Sequence, residues 1–296
     1  MKNVLIAKLG ATGDVVRTST LLRRLGCPVS WITAAKNVVY LEGVMPNLRV
    51  FSWEDREKVR DRAYDLVINL EDTPDVAGFL ASIECSRRFG AYLAGENQIK
   101  YTDDSRKWFD LSLISVHGRA EADRLKYLNR RTYQDLIFEG LGYSFASEKY
   151  LLPASPDTGL HGDVAIAAEA GPVWPMKIWA YYKQLQERLE SEGLKVNVLP
   201  KRATLLEHLG DVRGHKCLVG GDSLPMHLAL GSEVHCVTIF NCTSPWEIHE
   251  YGLMTKIVSP LLGEFFYKRG FEVRATNAIG LDEVYAATMK RLAAAR

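Results

Sequence analysis

GGDSLPMHLALG, running from Gly220 to Gly231, decides how the rest of the chain reads. Apolar runs flank it: LVGG ends at Gly221, and VHCVTIF ends at Phe240. This pattern predicts strand, tight turn, helix, strand. The helix is expected to begin at Ser223, with Asp222 and Ser223 suited to an N-cap and Pro225 to the first turn. The first N–H groups of a helix have no intrahelical acceptor. Placed at the carboxyl end of a parallel strand, they bind anions, typically a phosphate. The segment reads either as a diphosphate cradle or as an ordinary capped helix of an α/β domain. His227, in the first turns of the helix, reads either as a phosphate donor or as a structural histidine.

On either side of this segment, strands and helices alternate in both halves. NVLIAK (Asn3–Lys8), VSWIT (Val29–Thr33), LRVFSW (Leu48–Trp53), YDLVINL (Tyr64–Leu70) and RRFGAYL (Arg87–Leu93) read as strands. Asp14–Leu25 reads as a helix, and EDREKVRDRA as a charged one. The stretch Ala94–Arg131 has weak periodicity and many charges. Thr132–Tyr143 is again helical, and Lys149–Asp163, with its prolines and glycines, reads as a linker. Beyond it come the strand DVAIAAEAG, a long helix predicted over PMKIWAYYKQLQERLESEG, the strand KVNVL, a short helix around Thr204–Leu209, and KCLVGG. KIVSP (Lys256–Pro260) is a candidate last strand, and LDEVYAATMKRLAAAR a terminal helix. This predicts an α/β fold of two Rossmann-like domains, 1–155 and 156–296, with parallel sheets facing across a cleft. The last helix is a candidate to pack back on the first domain.

At 296 residues the chain suits two domains of ordinary size. A net charge of +1 gives no global argument for nucleic acid. The five cysteines are scattered, with no CxxC pair and no metal-ligand spacing, so they read as reduced thiols of a cytoplasmic protein. No run approaches the roughly 20 apolar residues of a membrane span. Lys8 cuts the first apolar run, which argues against a signal peptide.

Two turns carry chemistry. In KLGATGDVVRTS (Lys8–Ser19), Gly10 and Gly13 let backbone approach a ligand or bend sharply. The turn lacks the GxGxxG spacing of a dinucleotide site. Asp14 stands at the start of the first helix. It reads as a general base toward a bound hydroxyl or as a helix cap. The second turn is the Gly220 segment, joined by Thr243 and Ser244 in FNCTSPWEIHEYG.

The ordered set of segments resembles glycosyltransferase family 9, the bacterial ADP-heptose:lipopolysaccharide heptosyltransferases. The resemblance rests on VLIAKLGATGDVVRTSTLLRRL, Trp174–Pro175 with Trp179, DSLPMHLALG and CTSPWEIHEYG. It implies a GT-B fold, an acceptor held by the first domain and a nucleotide-sugar donor held by the second. Asp14 is then the base. Donor contacts fall on Lys8, Thr12, Gly13, Lys177, Asp222, Ser223, Leu224, Met226, His227 and Thr243. The expected reaction is inverting and metal-independent, with no cofactor beyond the nucleoside-diphosphate sugar as donor substrate. The acceptor is a glycan or glycolipid such as lipopolysaccharide core, and a peripheral contact with the inner membrane stays open. Arginines and lysines between Lys100 and Arg131 suit a phosphorylated saccharide or a solvated loop. The chain departs from the pattern where the family carries a cation before Trp-Pro, because Pro172 and Val173 stand there. It also shows no counterpart of the ribose-binding glutamate. A non-catalytic nucleotide-sugar-binding protein, or another GT-B enzyme such as an epimerase, is the alternative.

Overall fold

The computed structural model describes residues 2–108 and 114–295, and the chain divides into two compact units, Met1–Pro153 and Ala154–Arg296. Unit 1 is built on strands β1 (Val4–Ala7), β2 (Val29–Thr33), β3 (Leu48–Ser52), β4 (Tyr64–Asn69), β5 (Cys85–Leu93) and β6 (Ile99–Tyr101). They form one sheet in the order β3-β2-β1-β4-β5-β6, with only β6 antiparallel to its neighbour. β1 is buried at every position, as a central strand covered on both faces must be.

The helix expected over Asp14–Leu25 starts earlier and changes pitch. It is α-helical over Thr12–Thr18, tightens to a 3-10 turn over Ser19–Leu21, and resumes over Leu22–Leu25. The hydroxyls of Ser19 and Thr20 donate back to the carbonyls of Val16 and Arg17, which accounts for the tighter winding. Gly26, with φ of 56°, ends the segment in the left-handed conformation. EDREKVRDRA does not form the expected α-helix. Arg56–Asp61 is a 3-10 segment in which Val59 alone is buried, so no apolar stripe anchors longer winding. The Ala94–Arg131 stretch supplies β6 and the helices Ile114–His117 and Arg119–Leu128, while its residues 109–113 lie outside the described residues.

Unit 2 contains β7 (Gly162–Ala167), β8 (Val196–Val198), β9 (His215–Gly221), β10 (His235–Phe240) and β11 (Met254–Val258), all parallel, in the order β11-β10-β9-β7-β8. The long helix expected from Pro175 is broken. Pro175–Lys177 is a 3-10 turn, and the α-helix runs only from Tyr182 to Ser191. Between them the backbone bonds elsewhere. The Asn241 amide donates to the Ile178 carbonyl, and Ala180 N–H donates to the Thr276 carbonyl. The buried Trp179 indole donates to the Ile279 carbonyl at 2.9 Å. The terminal helix runs over Leu281–Ala294. Its Val284, Ala287 and Leu292 join Val237, Ile239 and Ile257 in the core of unit 2. Apolar matching on its own sheet decides its place.

In open α/β sheets, ligands bind outside the carboxyl ends of the strands, where the strand order reverses. That point lies between β1 and β4 in unit 1, and between β7 and β9 in unit 2. No described helix is long and apolar enough to cross a membrane.

Candidate functional site

The carboxyl ends of β7 and β9 frame a pocket of about 410 Å³ in unit 2. Ala167, Ala168 and Glu169 follow β7, and Leu199 to Arg202 follow β8. Thr204, Leu205 and His208 come from the next helix, and Leu224 and Pro225 from the helix after β9. The volume suits a nucleoside-sized ligand. Its polar wall is fixed from beneath. Arg202 donates twice to Asp211, at 2.7 Å each, and Thr158 donates to the same carboxylate at 2.6 Å. Asp211 is fully buried. Burial alone would raise its pKa, but Arg202 and Thr158 bring it below the usual carboxylate range. His208, packed beside this pair, has its pKa lowered chiefly by burial and is held toward the neutral form. The sequence reading missed this pocket. The signal lay in the residues that directly follow β7 and β8, where strand-end logic points.

The Gly220 segment forms a strand, a turn and a helix, with the helix over Leu224–Gly231 and Ser223 as its N-cap residue. The Ser223 hydroxyl does not cap the helix. It donates back to the Gly221 carbonyl at 3.3 Å and makes no capping bond to the helix's first N–H groups. Gly221 is required by close approach: a Cβ there would stand 2.7 Å from the Lys177 carbonyl oxygen. Lys177 lies against the same turn, its ammonium donating to the Asp222 carbonyl at 2.5 Å and to the Asp222 carboxylate at 3.1 Å. Burial of Asp222 works against ionisation. Lys177, the nearby His227 and the Thr243 hydroxyl outweigh it and bring the pKa down to about 2. The structure thus gathers Lys177, Asp222, His227 and Thr243 around one helix tip, with Leu224 reaching the adjoining pocket. Met226 is a correction. Its side chain is wholly buried and its N–H is taken by the Ser223 carbonyl, so nothing of it is left for a ligand. The apolar face of a short helix claims that position.

A carboxyl whose folded pKa is depressed stabilises the fold above its unfolded pKa and loses that effect as pH falls through the folded value. Asp222→Asn is therefore expected to cost about 2 kcal/mol at pH 7. The wild-type contribution should fade between about pH 4 and pH 2. Urea unfolding of both proteins across that range checks this, and parallel acid limbs would contradict it.

Lys8, Thr12, Gly13 and Asp14 lie together in unit 1, on the turn that leaves β1. Lys8 does not serve as an open cation. It is buried and pairs with Glu71 at 2.9 Å. The same Glu71 oxygen accepts the N–H groups of Leu9 and Gly10, so a carboxylate 63 residues downstream shapes the turn. The Thr12 hydroxyl donates to Asn37, whose amide donates to the Leu9 carbonyl. Gly13 follows Thr12 in the first helical turn. Asp14 is not the N-cap, which falls at Ala11. Its carboxylate is one-third exposed and meets Arg17 at 2.9 Å. Arg17 lies 3.8 Å over the ring of buried Tyr133, whose hydroxyl shares a hydrogen bond with Thr18. Asp14 is thereby aimed by a rigid neighbour and still reaches solvent.

No family model and no curated protein matches the sequence. Solved structures do. The glycosyl transferase family 9 structure from Veillonella parvula DSM 2008 is 15% identical, with 99% of this chain and 97% of that chain covered and a TM-score of 0.66. E. coli heptosyltransferase WaaC with ADP-2-deoxy-2-fluoro heptose is 16% identical, with 90% and 96% covered and a TM-score of 0.58. The chain has the GT-B fold. E. coli ADP-heptose lps heptosyltransferase II agrees, at 16% identity, 98% and 99% coverage and a TM-score of 0.57. At these identities the GT-B likeness speaks for architecture, and the chemistry has to be argued from the residues.

Proposed function

We propose that this chain is an inverting glycosyltransferase that moves a sugar from a nucleoside-diphosphate donor to a saccharide acceptor. ADP-heptose is the donor of choice and lipopolysaccharide core the acceptor of choice, because the GT-B neighbours carry those ligands and names. The observation that carries the reading is the unit 2 pocket, which opens at a strand-order reversal and shares Leu224 and Pro225 with the helix tip. In this reading the nucleoside fills the pocket, with Glu169 and Thr204 accepting from the ribose hydroxyls. The diphosphate meets the N–H groups at the start of the Leu224–Gly231 helix. Asp14 takes the proton of the acceptor hydroxyl as its oxygen forms the new bond to the anomeric carbon. The bond from that carbon to the phosphate oxygen breaks, and its electron pair leaves with the nucleoside diphosphate. The helix tip and His227 stabilise the leaving charge, so the step is proposed to proceed without a metal. Cations between Lys100 and Arg131 hold acceptor phosphates, and the reaction runs at the cytoplasmic face of the inner membrane.

A non-catalytic nucleotide-sugar-binding protein is the second reading. It is favoured by Lys177, whose charge Asp222 already offsets. A screen of nucleoside diphosphates by thermal unfolding, followed by transfer assays, tests both. A ligand at a hundredfold excess over its Kd is expected to stabilise the native state by about 2.7 kcal/mol. Binding with product formation supports the transferase. Binding without turnover on any heptose acceptor supports the second reading, and no binding by any nucleotide rejects both.

A further inference from the structure

A diphosphate carries more negative charge than one helix tip offsets, and such sites recruit a cation. The cations around the unit 2 turn are mostly committed. Lys177 is held by Asp222, Lys256 by Glu250 and the Ile248 carbonyl, and Arg274 by both oxygens of Glu264. The positions just before Trp174 are Pro172 and Val173, which carry no charge.

The segment after β11 supplies what is missing. Phe265 packs in one apolar cluster with Met176, beside Lys177, and with Cys242, beside Thr243. Tyr267 N–H donates to the Cys242 carbonyl at 2.8 Å, and its ring meets Trp174 edge-on at 5.2 Å. Trp174 in turn accepts the Lys177 N–H through its carbonyl. Two residues past Tyr267, the exposed Arg269 lies over the Trp174 ring at 5.7 Å. Among the described residues it meets no carboxylate. Gly270, with φ of 100°, gives the backbone beside it a conformation that other residues rarely adopt.

We propose that Arg269, parked on the face of Trp174, is the diphosphate-binding cation of the unit 2 site. This rests on the nucleotide-donor reading above. A guanidinium suits the role, because its planar fork matches two phosphate oxygens and its face stacks on an aromatic ring. Lys268, by contrast, faces the ring of Phe265, part of the supporting core.

The test is calorimetric titration of the full chain with ADP, in the wild type, Arg269→Ala, Arg269→Lys and Lys268→Ala. Arg269→Ala is expected to weaken ADP roughly 10- to 100-fold, with the loss shrinking for adenosine. Arg269→Lys should recover part of it. Lys268→Ala removes the same formal charge next door and should cost under about fivefold. Equal losses at 268 and 269, or an Arg269→Ala titration matching the wild type, would overturn the assignment. A wild type that binds neither ADP nor any other nucleoside diphosphate would remove the donor reading and this cation with it. Arg269 is exposed, so unchanged ligand-free melting of its variants separates lost contact from lost fold.

Discussion

Asp14→Asn is expected to lower sugar transfer by about 10²–10⁴-fold, the usual yield of a positioned general base. Asparagine has nearly the same shape and still offers a carbonyl oxygen to Arg17, so the turn should keep its form. The Asp14–Arg17 pair is partly exposed and spaced i,i+3. Pairs of that kind contribute at most about 1 kcal/mol, so the variant should melt close to the wild type. Nucleotide affinity should also hold, since the nucleotide is assigned to unit 2. The informative measurement is therefore transfer rate and ADP affinity side by side. A large loss in rate with affinity retained identifies Asp14 as the base. Equal rates in the two proteins would leave the acceptor hydroxyl to some other group. Removing Arg17 instead would free the carboxylate's direction, and a smaller loss is expected there because the base survives.

Arg202→Ala carries the largest expected cost in stability. Asp211 is completely buried, and Arg202 gives it both of its ionic hydrogen bonds. Without the guanidinium, only Thr158 donates to that carboxylate among the described residues. Arg202 is itself a quarter exposed and lines the pocket, so its loss admits water to the carboxylate. The cost is that of the lost charge-assisted hydrogen bonds rather than of a sealed ion pair, read as a fall in Tm of several degrees. The double variant Arg202→Ala, Asp211→Asn should regain part of the loss, since the orphaned charge goes too. Thermal melting of the three proteins distinguishes this from a simple packing loss, in which the second substitution would only add damage. Arg202 itself lines the pocket, so nucleotide affinity should fall with stability in the single variant.

Local signals carried most of the architecture. β1 and the Gly220 segment were legible because short apolar runs abut glycines, and Pro225 fixes where the helix begins. The failures are equally physical. The Pro175–Gly193 stretch keeps an amphipathic pattern, yet Asn241 and Thr276 draw its backbone away at residues 178–180. Those partners lie 63 and 96 residues along the chain, beyond the reach of any window of sequence. The helix after β8, expected over about Thr204–Leu209, extends to Arg213. A capping box from Thr204 to Glu207 marks its start, and Arg213 followed by Gly214 is the stop signal that the shorter reading passed over.

The candidate site divides along the same line. Asp14, Lys177, Asp222 and His227 can be picked out from motif order. That Asp222 holds Lys177, that Glu71 captures Lys8, and that Arg202 and Asp211 share a buried bond cannot. Each depends on side chains from separate elements meeting inside the fold. Arg269 is not legible in the sequence for the opposite reason. It sits in no motif, and only the Trp174 ring gives it a place.

Two of the four edge strands, β6 and β8, are each three residues long. Unpaired strand margins are templates on which other chains assemble, and a short one offers too few backbone groups to start that growth. On these two borders the molecule is guarded against aggregation by brevity, and on β6 also by the exposed Lys100 at its centre.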